Sequence, residues 1–388
     1  MKRRDFATIA LGLALGVGIA VQPQGMTAFA ADPVKVGILI PLSGPGGLFG
    51  PSSQMSAQMA VDDINADGGL LGRPIEPVFV DVGGPPADAT QAALRLWKGD
   101  KAEAFIGMHD SAVRGALTNL FKGQVPYIYT PVYEGGECAP GTYVLGETPA
   151  QQLEPVIPWL AAEKGASKWY LIGNDYNWPR DTNAAAKAYI EATGGTVVGE
   201  EYLPFTVDNF DSSLAKIKES GADAVLVTLV GGASVGFNRA FASFGLADEV
   251  LRLGTLIEEN TLAGIGAESA KNLYSSAGYF ASIDTPAARA FADRYTATFG
   301  TDAPALNALG QSVYDGVLLL DALAERAGSL SVDAMDQAAE GTSYDGPRGS
   351  ATMSGRHVSK DIYLAEADGA SFRVVRTFSN VGAGDNCN

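Results

Sequence analysis

Short β-branched runs bounded by Gly or Pro alternate with longer stretches whose apolar residues recur at helical spacing, and the alternation occurs in two successive series. Such a rhythm with short connections specifies parallel strands covered by helices on both faces. In the first series the pattern predicts strands over 34–42, 75–82, 104–107 and 126–130. Helices are expected around Met55, Met59 and 61–64, then over 87–97 and 111–121. The second series predicts helix 151–163, strand 168–173, helix 182–192, strand 196–203, a helix closed by Gly221, and a buried strand over 224–230. Further helices are expected over 285–299, 312–327 and 331–339, with a hairpin around Asp368-Gly369. The expected fold class is therefore α/β, with two Rossmann-like lobes. Its ligand crevice belongs at the strand carboxyl ends, between the lobes.

The chain has 388 residues, 46 % apolar and 18 % charged, which supplies ample core for more than one domain. Its net charge of −17 repels polyanions, so nucleic acid is excluded as a partner. Lys2, Arg3 and Arg4 precede an apolar stretch over 6–21, and Ala28-Phe29-Ala30 then supplies a small-x-small pattern. This reads as a signal peptide over 1–30, cleaved after Ala30, and it places the mature chain in a periplasm. The Arg3-Arg4 pair followed by Phe6 is similar to a twin-arginine signal. In an oxidising compartment the two cysteines, Cys138 and Cys387, are expected to pair with each other.

The glycine-rich segment over 44–50 follows a strand and opens a helix, but its spacing fits no phosphate-binding pattern. Gly232-Ala233-Ser234-Val235-Gly236 matches the G-x-S-x-G elbow, with His109 and His357 as the two histidines that could serve Ser234 as a base. A serine hydrolase is thus the remote enzyme alternative to a binding protein. Histidine and cysteine spacing offers no metal site, and no cofactor is called for. Two aromatic loops at strand ends stand out instead: one carries Tyr129, Thr130 and Tyr133, the other Asp175, Tyr176 and Trp178. Ser111 opens a helix at a further strand end, where a hydroxyl and backbone N–H groups can meet a ligand oxygen.

The opening VGILIPLSG, the AVDDINADGGLLGRPI run, YEGGE, DYNWPR, YFASIDTPAARAF, SVYDG and GPRGSATM together resemble the type I periplasmic binding proteins of the branched-chain amino acid and amide class. These are the extracytoplasmic receptors of ABC transporters. Tyr-Glu-Gly, Asp-Tyr-x-x-Pro-Arg and Tyr-Phe-x-Ser-x-Asp-Thr-Pro are most similar to the subgroup that takes urea and short amides. The resemblance implies three crossovers, near 147–150, 281–285 and 349–354. It assigns 31–148 plus 284–350 to an N-terminal lobe, 149–283 plus 351–378 to a C-terminal lobe, and 379–388 to a tail. It implies ligand contacts from Ser111, from the loop Tyr129 to Val132 with Thr130 in it, from Tyr176 and Trp178, from the loop Val230 to Gly232 with Gly231 in it, and from Glu258. His109 stands where the subgroup has an aromatic hydroxyl, and Trp178 where it has Tyr or Phe. The implied activity is capture of a short amide, urea or an amino acid for ABC transporter permease subunits, with presentation to a signalling partner as the alternative.

Overall fold

The structure is a computed structural model that describes residues 31–384 and Cys387, so the expected leader over 1–30 lies outside the described residues. Its first sheet has the parallel order β2 (Ile75–Asp81), β1 (Val34–Ile40), β3 (Ala104–Gly107), β4 (Tyr127–Tyr129), β5 (Thr142–Val144). The second runs β7 (Thr196–Leu203), β6 (Lys168–Asn174), β8 (Ala224–Thr228), β9 (Leu251–Gly254), β10 (Leu273–Ala277), again parallel. Their inner strands, such as β1, β6 and β8, are buried almost throughout, as expected of sheets covered on two sides, while the edge strands β2 and β7 are half-buried. Helices α1 (Gly50–Ala66), α2 (Pro86–Leu94) and α3 (Ser111–Phe121) serve the first sheet. The second series carries α4 (Pro149–Gln152), α5 (Val156–Lys164), α6 (Asn177–Ala192), α7 (Asp211–Ser220), α8 (Gly231–Ser243) and α9 (Glu259–Ile265). The chain then returns: α10 (Pro286–Phe299) and α11 (Ala308–Ala327) pack on α1, and α12 (Val332–Ala338) packs on α11.

The end of the chain joins the two sheets. Strand β11 (Ser343–Gly346) pairs with β12 (Gly349–Ser354), and β12 pairs with the start of β13 (His357–Asp368). His357 of β13 bridges to Val144 of the first sheet, while residues from Tyr363 to Glu366 run antiparallel to β10 of the second. Strand β14 (Ser371–Val381) then completes a hairpin on β13. The expected third crossover at 349–354 is therefore corrected. Those residues pair as β12 within the first sheet, and the chain passes between sheets inside β13. Two helices also differ from expectation. Helix 151–163 is split into α4 and α5 around Pro155, which has no N–H to continue the ladder, and α6 starts at Asn177 rather than 182.

Where the connections meet, charge is buried. Arg348 Nη1 lies 2.9 Å from Glu147 Oε1, its Nε lies 2.8 Å from Asp315 Oδ2, and Lys360 Nζ lies 3.2 Å from the same Glu147 oxygen. Tyr344 donates to Asp315 at 3.2 Å, and Lys360 also donates to the Leu145 carbonyl. Burial alone would raise the Glu147 carboxyl, but Lys360 and Arg348 outweigh it and hold the group below its usual range. Burial pushes the Lys360 ammonium down to about 8. Gly278 packs directly over Glu147 and Arg348. Glu147 from the first crossover, Gly278 just after β10 and Lys360 of β13 thus meet in one cluster.

Candidate functional site

The carboxyl ends of β1, β2, β3 and β4 face those of β6, β7, β8 and β9 across a cavity of about 410 Å³. The first sheet contributes Pro41, Pro45 and Gly46 after β1, Val82 to Pro86 after β2, Met108 to Ala112 after β3, and Pro131 and Val132 after β4. The second contributes Tyr176 and Trp178 after β6, Phe205 after β7, Val230 after β8 and Leu256 after β9. The two first-sheet loops touch through Gly44 and Gly83, where a Cβ on either residue would collide with the other loop's backbone carbonyl.

Most of the lining is carbon. Phe49, Met108, Val132, Leu256 and Leu309 surround an aromatic group in which Tyr176 lies 5.0 Å from Phe205 and 6.2 Å from Trp178, centroid to centroid. Polar groups collect at the mouth of α3. Asp110 caps this helix, accepting from Val113 N at 2.8 Å and from the Ala112 N–H, and Ser111 and Ala112 line the cleft beside it. The N-termini of α6 and α8, at Tyr176 and Val230, also meet the cavity and carry no side-chain cap. The ends of α6 and α8 therefore present partial positive charge to the space, while that of α3 is answered by Asp110.

His109 is neutral here. Its Nδ1 lies 3.1 Å from the Asp110 carbonyl, which can only accept, so Nδ1 carries the proton and Nε2 accepts from the Tyr127 hydroxyl at 2.9 Å. Burial pushes its pKa down to about 4. Since the unfolded chain binds a proton near 6.5 that the native state refuses, this group's stability contribution is complete above pH 6.5 and is lost as pH falls toward 4. His109→Gln is expected to lose on the order of 3 kcal/mol less than the parent between those pH values, measured by urea unfolding.

Behind Ser111 lies an ionic cluster. Ser111 Oγ donates to Glu134 Oε2 at 2.6 Å, and Arg114 reaches Glu134 at 2.9 Å and Glu137 at 3.2 Å. Burial lowers the Arg114 guanidinium, but Tyr129, Glu134 and Glu137 outweigh it and hold the charge in place. Glu134 also accepts from the Asn177 amide at 2.8 Å, a hydrogen bond that spans the two halves. Nearby carboxylates are thus already engaged by protein donors.

Of the residues expected to touch ligand, His109, Ser111, Tyr176, Trp178 and Val230 line the cavity together. The others stand behind it. Tyr129 donates to the His109 carbonyl at 2.8 Å, Thr130 donates to the Gly107 carbonyl at 3.3 Å, and Tyr133 pairs with His357 Nε2. Glu258 spends its carboxylate on α9, accepting from Asn260 N at 2.8 Å and Thr261 N at 2.7 Å. Gly231 meets Pro45 across the cleft. Ser234 sits inside α8 with its hydroxyl buried, and both histidines are held by tyrosines, so the hydrolase pairing is not formed. Cys138 and Cys387 form a disulfide. Phe205, Leu256, Glu134 and Asn177 were not foreseen. The Gly/Pro-rich ends of β1 and β2 were the available signal for the first-sheet wall.

Comparison with known proteins places these features among relatives. The family model described as "Periplasmic binding protein" matches residues 33–371. A "Leu/Ile/Val-binding protein homolog 6" of Brucella melitensis is 28 % identical over 383 residues, covering 94 % of this chain and 96 % of its own. A solute binding protein of an ABC transporter from Rhodopseudomonas palustris HaA2, solved in complex with p-hydroxybenzoic acid, superposes with a TM-score of 0.83 at 26 % identity, covering 91 % of this chain and 99 % of its own. A leucine binding protein from Thermotoga maritima has a TM-score of 0.80 at 18 % identity, covering 89 % of this chain and 99 % of its own, and shares the fold.

Proposed function

The chain belongs to the periplasmic binding protein family, and from that premise we propose that it captures a small carboxylic acid with a ring-sized apolar body for an ABC transporter's permease subunits. The single observation that carries this reading is the cavity itself: about 410 Å³, walled by aromatic and aliphatic side chains, with polar groups gathered at helix N-termini. That volume lies in the range that holds ring-bearing ligands, and urea or a short amide would leave most of the wall unfilled. A carboxylate suits the helix ends, whose N–H groups donate and whose dipoles favour negative charge. For the ammonium of an amino acid, Glu134 is already taken by Ser111, Arg114 and Asn177, and the carboxylate at the cavity wall is Asp110, which also caps α3. The p-hydroxybenzoic acid bound by the Rhodopseudomonas relative is a ligand of this type. Export by the cleaved leader over 1–30, before folding or by the twin-arginine route, belongs to the same proposal.

Calorimetry and thermal shift with 4-hydroxybenzoate, benzoate, 4-hydroxybenzamide, L-leucine, L-phenylalanine, urea and acetamide test it. The ring carboxylates should stabilise by about 2.7 kcal/mol at a hundredfold excess over Kd, and the neutral ring amide should bind more weakly. Binding confined to urea and acetamide, or to the amino acids, would overturn the ligand class. Tyr176→Ala and Trp178→Ala should each weaken the ring acid by more than tenfold, about 1.4 kcal/mol.

A further inference from the structure

We propose that the Cys138–Cys387 disulfide closes a fourth connection between the two sheets and positions the loop that carries Glu134 and Glu137. The tail starts from the second sheet, where Val381 at the end of β14 pairs with Lys360 of β13. From there it is drawn against the first crossover: Gln151 Nε2 donates to the Val381 carbonyl at 3.0 Å, and Thr148 Oγ1 donates to the Ala383 carbonyl at 2.8 Å. The disulfide then fastens Cys387 to Cys138, in the loop between β4 and β5 of the first sheet. A second-sheet strand is thereby tied covalently to a first-sheet loop.

That loop is the one on which the cleft depends. Glu134 takes Ser111 from the cavity wall and Asn177 from the opposite half, while Glu137 holds Arg114 and accepts from Ala139 N at 3.0 Å. Tyr133 N donates to the Glu147 carbonyl at 2.9 Å, so the loop is also joined to the buried charge cluster. Glu147 of the first crossover and Lys360 of β13 meet in that cluster, so the backbone passages between the halves lie close together there. A fourth tie that ends in the site loop restricts rotation of the halves and holds the two carboxylates in their binding arrangement before ligand arrives. Preorganisation of this kind raises affinity by lowering what must be ordered on binding.

The full-length Cys138→Ser/Cys387→Ser variant is compared with the oxidised parent in two measurements that need no ligand. Small-angle X-ray scattering should give the variant a larger radius of gyration, and amides over 132–141 should exchange about tenfold faster or more. Parent protein treated with dithiothreitol, which donates two electrons to the S–S bond and leaves as its cyclic disulfide, should behave as the variant does. A lower melting temperature with unchanged scattering and unchanged loop exchange would reduce the bond to a staple and overturn the proposal. Global unfolding of both the variant and the reduced parent would overturn it as well. The affinity consequence rests on the proposed cleft reading: 4-hydroxybenzoate should bind the variant about tenfold more weakly, chiefly through faster dissociation. Failure of the oxidised parent to bind it counts against that reading alone, and scattering and exchange still decide the tie.

Discussion

Gly231→Ala is expected to weaken ligand binding by about a hundredfold or more, roughly 2.7 kcal/mol, without unfolding the protein. Gly231 opens α8 with φ +52, and a Cβ there would fall inside the envelope of the Pro45 carbonyl oxygen on the other side of the cleft. The contact exists only while the halves are together, so the methyl group penalises the closed form selectively. A ligand shifts the open and closed populations by its differential affinity, and a clash confined to the closed form subtracts from that difference. The unliganded protein should lose only the left-handed backbone cost of an alanine, about 1 kcal/mol. Gly232 is the control. Nothing lies within 4 Å of a Cβ built there, so Gly232→Ala should bind as the parent does. Calorimetry of both variants with 4-hydroxybenzoate, and their ligand-free melting, check the expectation; parental affinity in Gly231→Ala would contradict closure at this contact.

Arg348→Met should cost about 3–5 kcal/mol of folding stability, measured as a lower urea midpoint. The Arg348 side chain is 2 % exposed and bridges Glu147 and Asp315, so its removal leaves two buried carboxylates with Lys360 as the cation against Glu147 and Tyr344 donating to Asp315. A buried charge that loses its partner is more costly than a pair replaced together. Accordingly, Glu147→Gln combined with Lys360→Met should destabilise less than the sum of the two single changes. Additive losses would show that the cluster does not act as a unit.

Local patterning accounts for much of what the sequence reveals about this fold. Strand β3 and helix α3 begin and end at the residues their spacing indicates, because a short apolar strand and a capped helix are both specified nearby. The short strands β5, β9, β11 and β12 escape such reading, since their pairing depends on residues far away in the chain. Strand β13 is the extreme case: nothing local marks one extended run as belonging to two sheets. The first turn of helix α6 resembles a binding loop in the sequence because of Tyr176, Trp178 and Pro179, yet a proline in the first turn forfeits no helix hydrogen bond.

The site shows the same division. Strand-end placement singles out Ser111, Tyr176 and Trp178, while Val230 and the ligand-side position of His109 follow from the resemblance to the family. Chemistry alone could not separate Glu258 from a ligand acceptor, because a carboxylate suited to an ammonium is equally suited to the N–H groups of its own helix. Tyr129 and Tyr133 look outward in the sequence and are buried in the structure, where their hydroxyls are engaged by His109 and His357. Phe205 and Asn177 enter through the meeting of the two halves, which no local pattern encodes.

Because β13 supplies pairing to both sheets, neither half is complete until residues 357–368 have been made. A ribosome carrying the first three hundred or so residues holds two unfinished sheets, each with an open edge awaiting the same late segment. Fragments that isolate one half for expression would inherit that open edge. Permuted chains should therefore keep 357–368 unbroken and place new termini elsewhere.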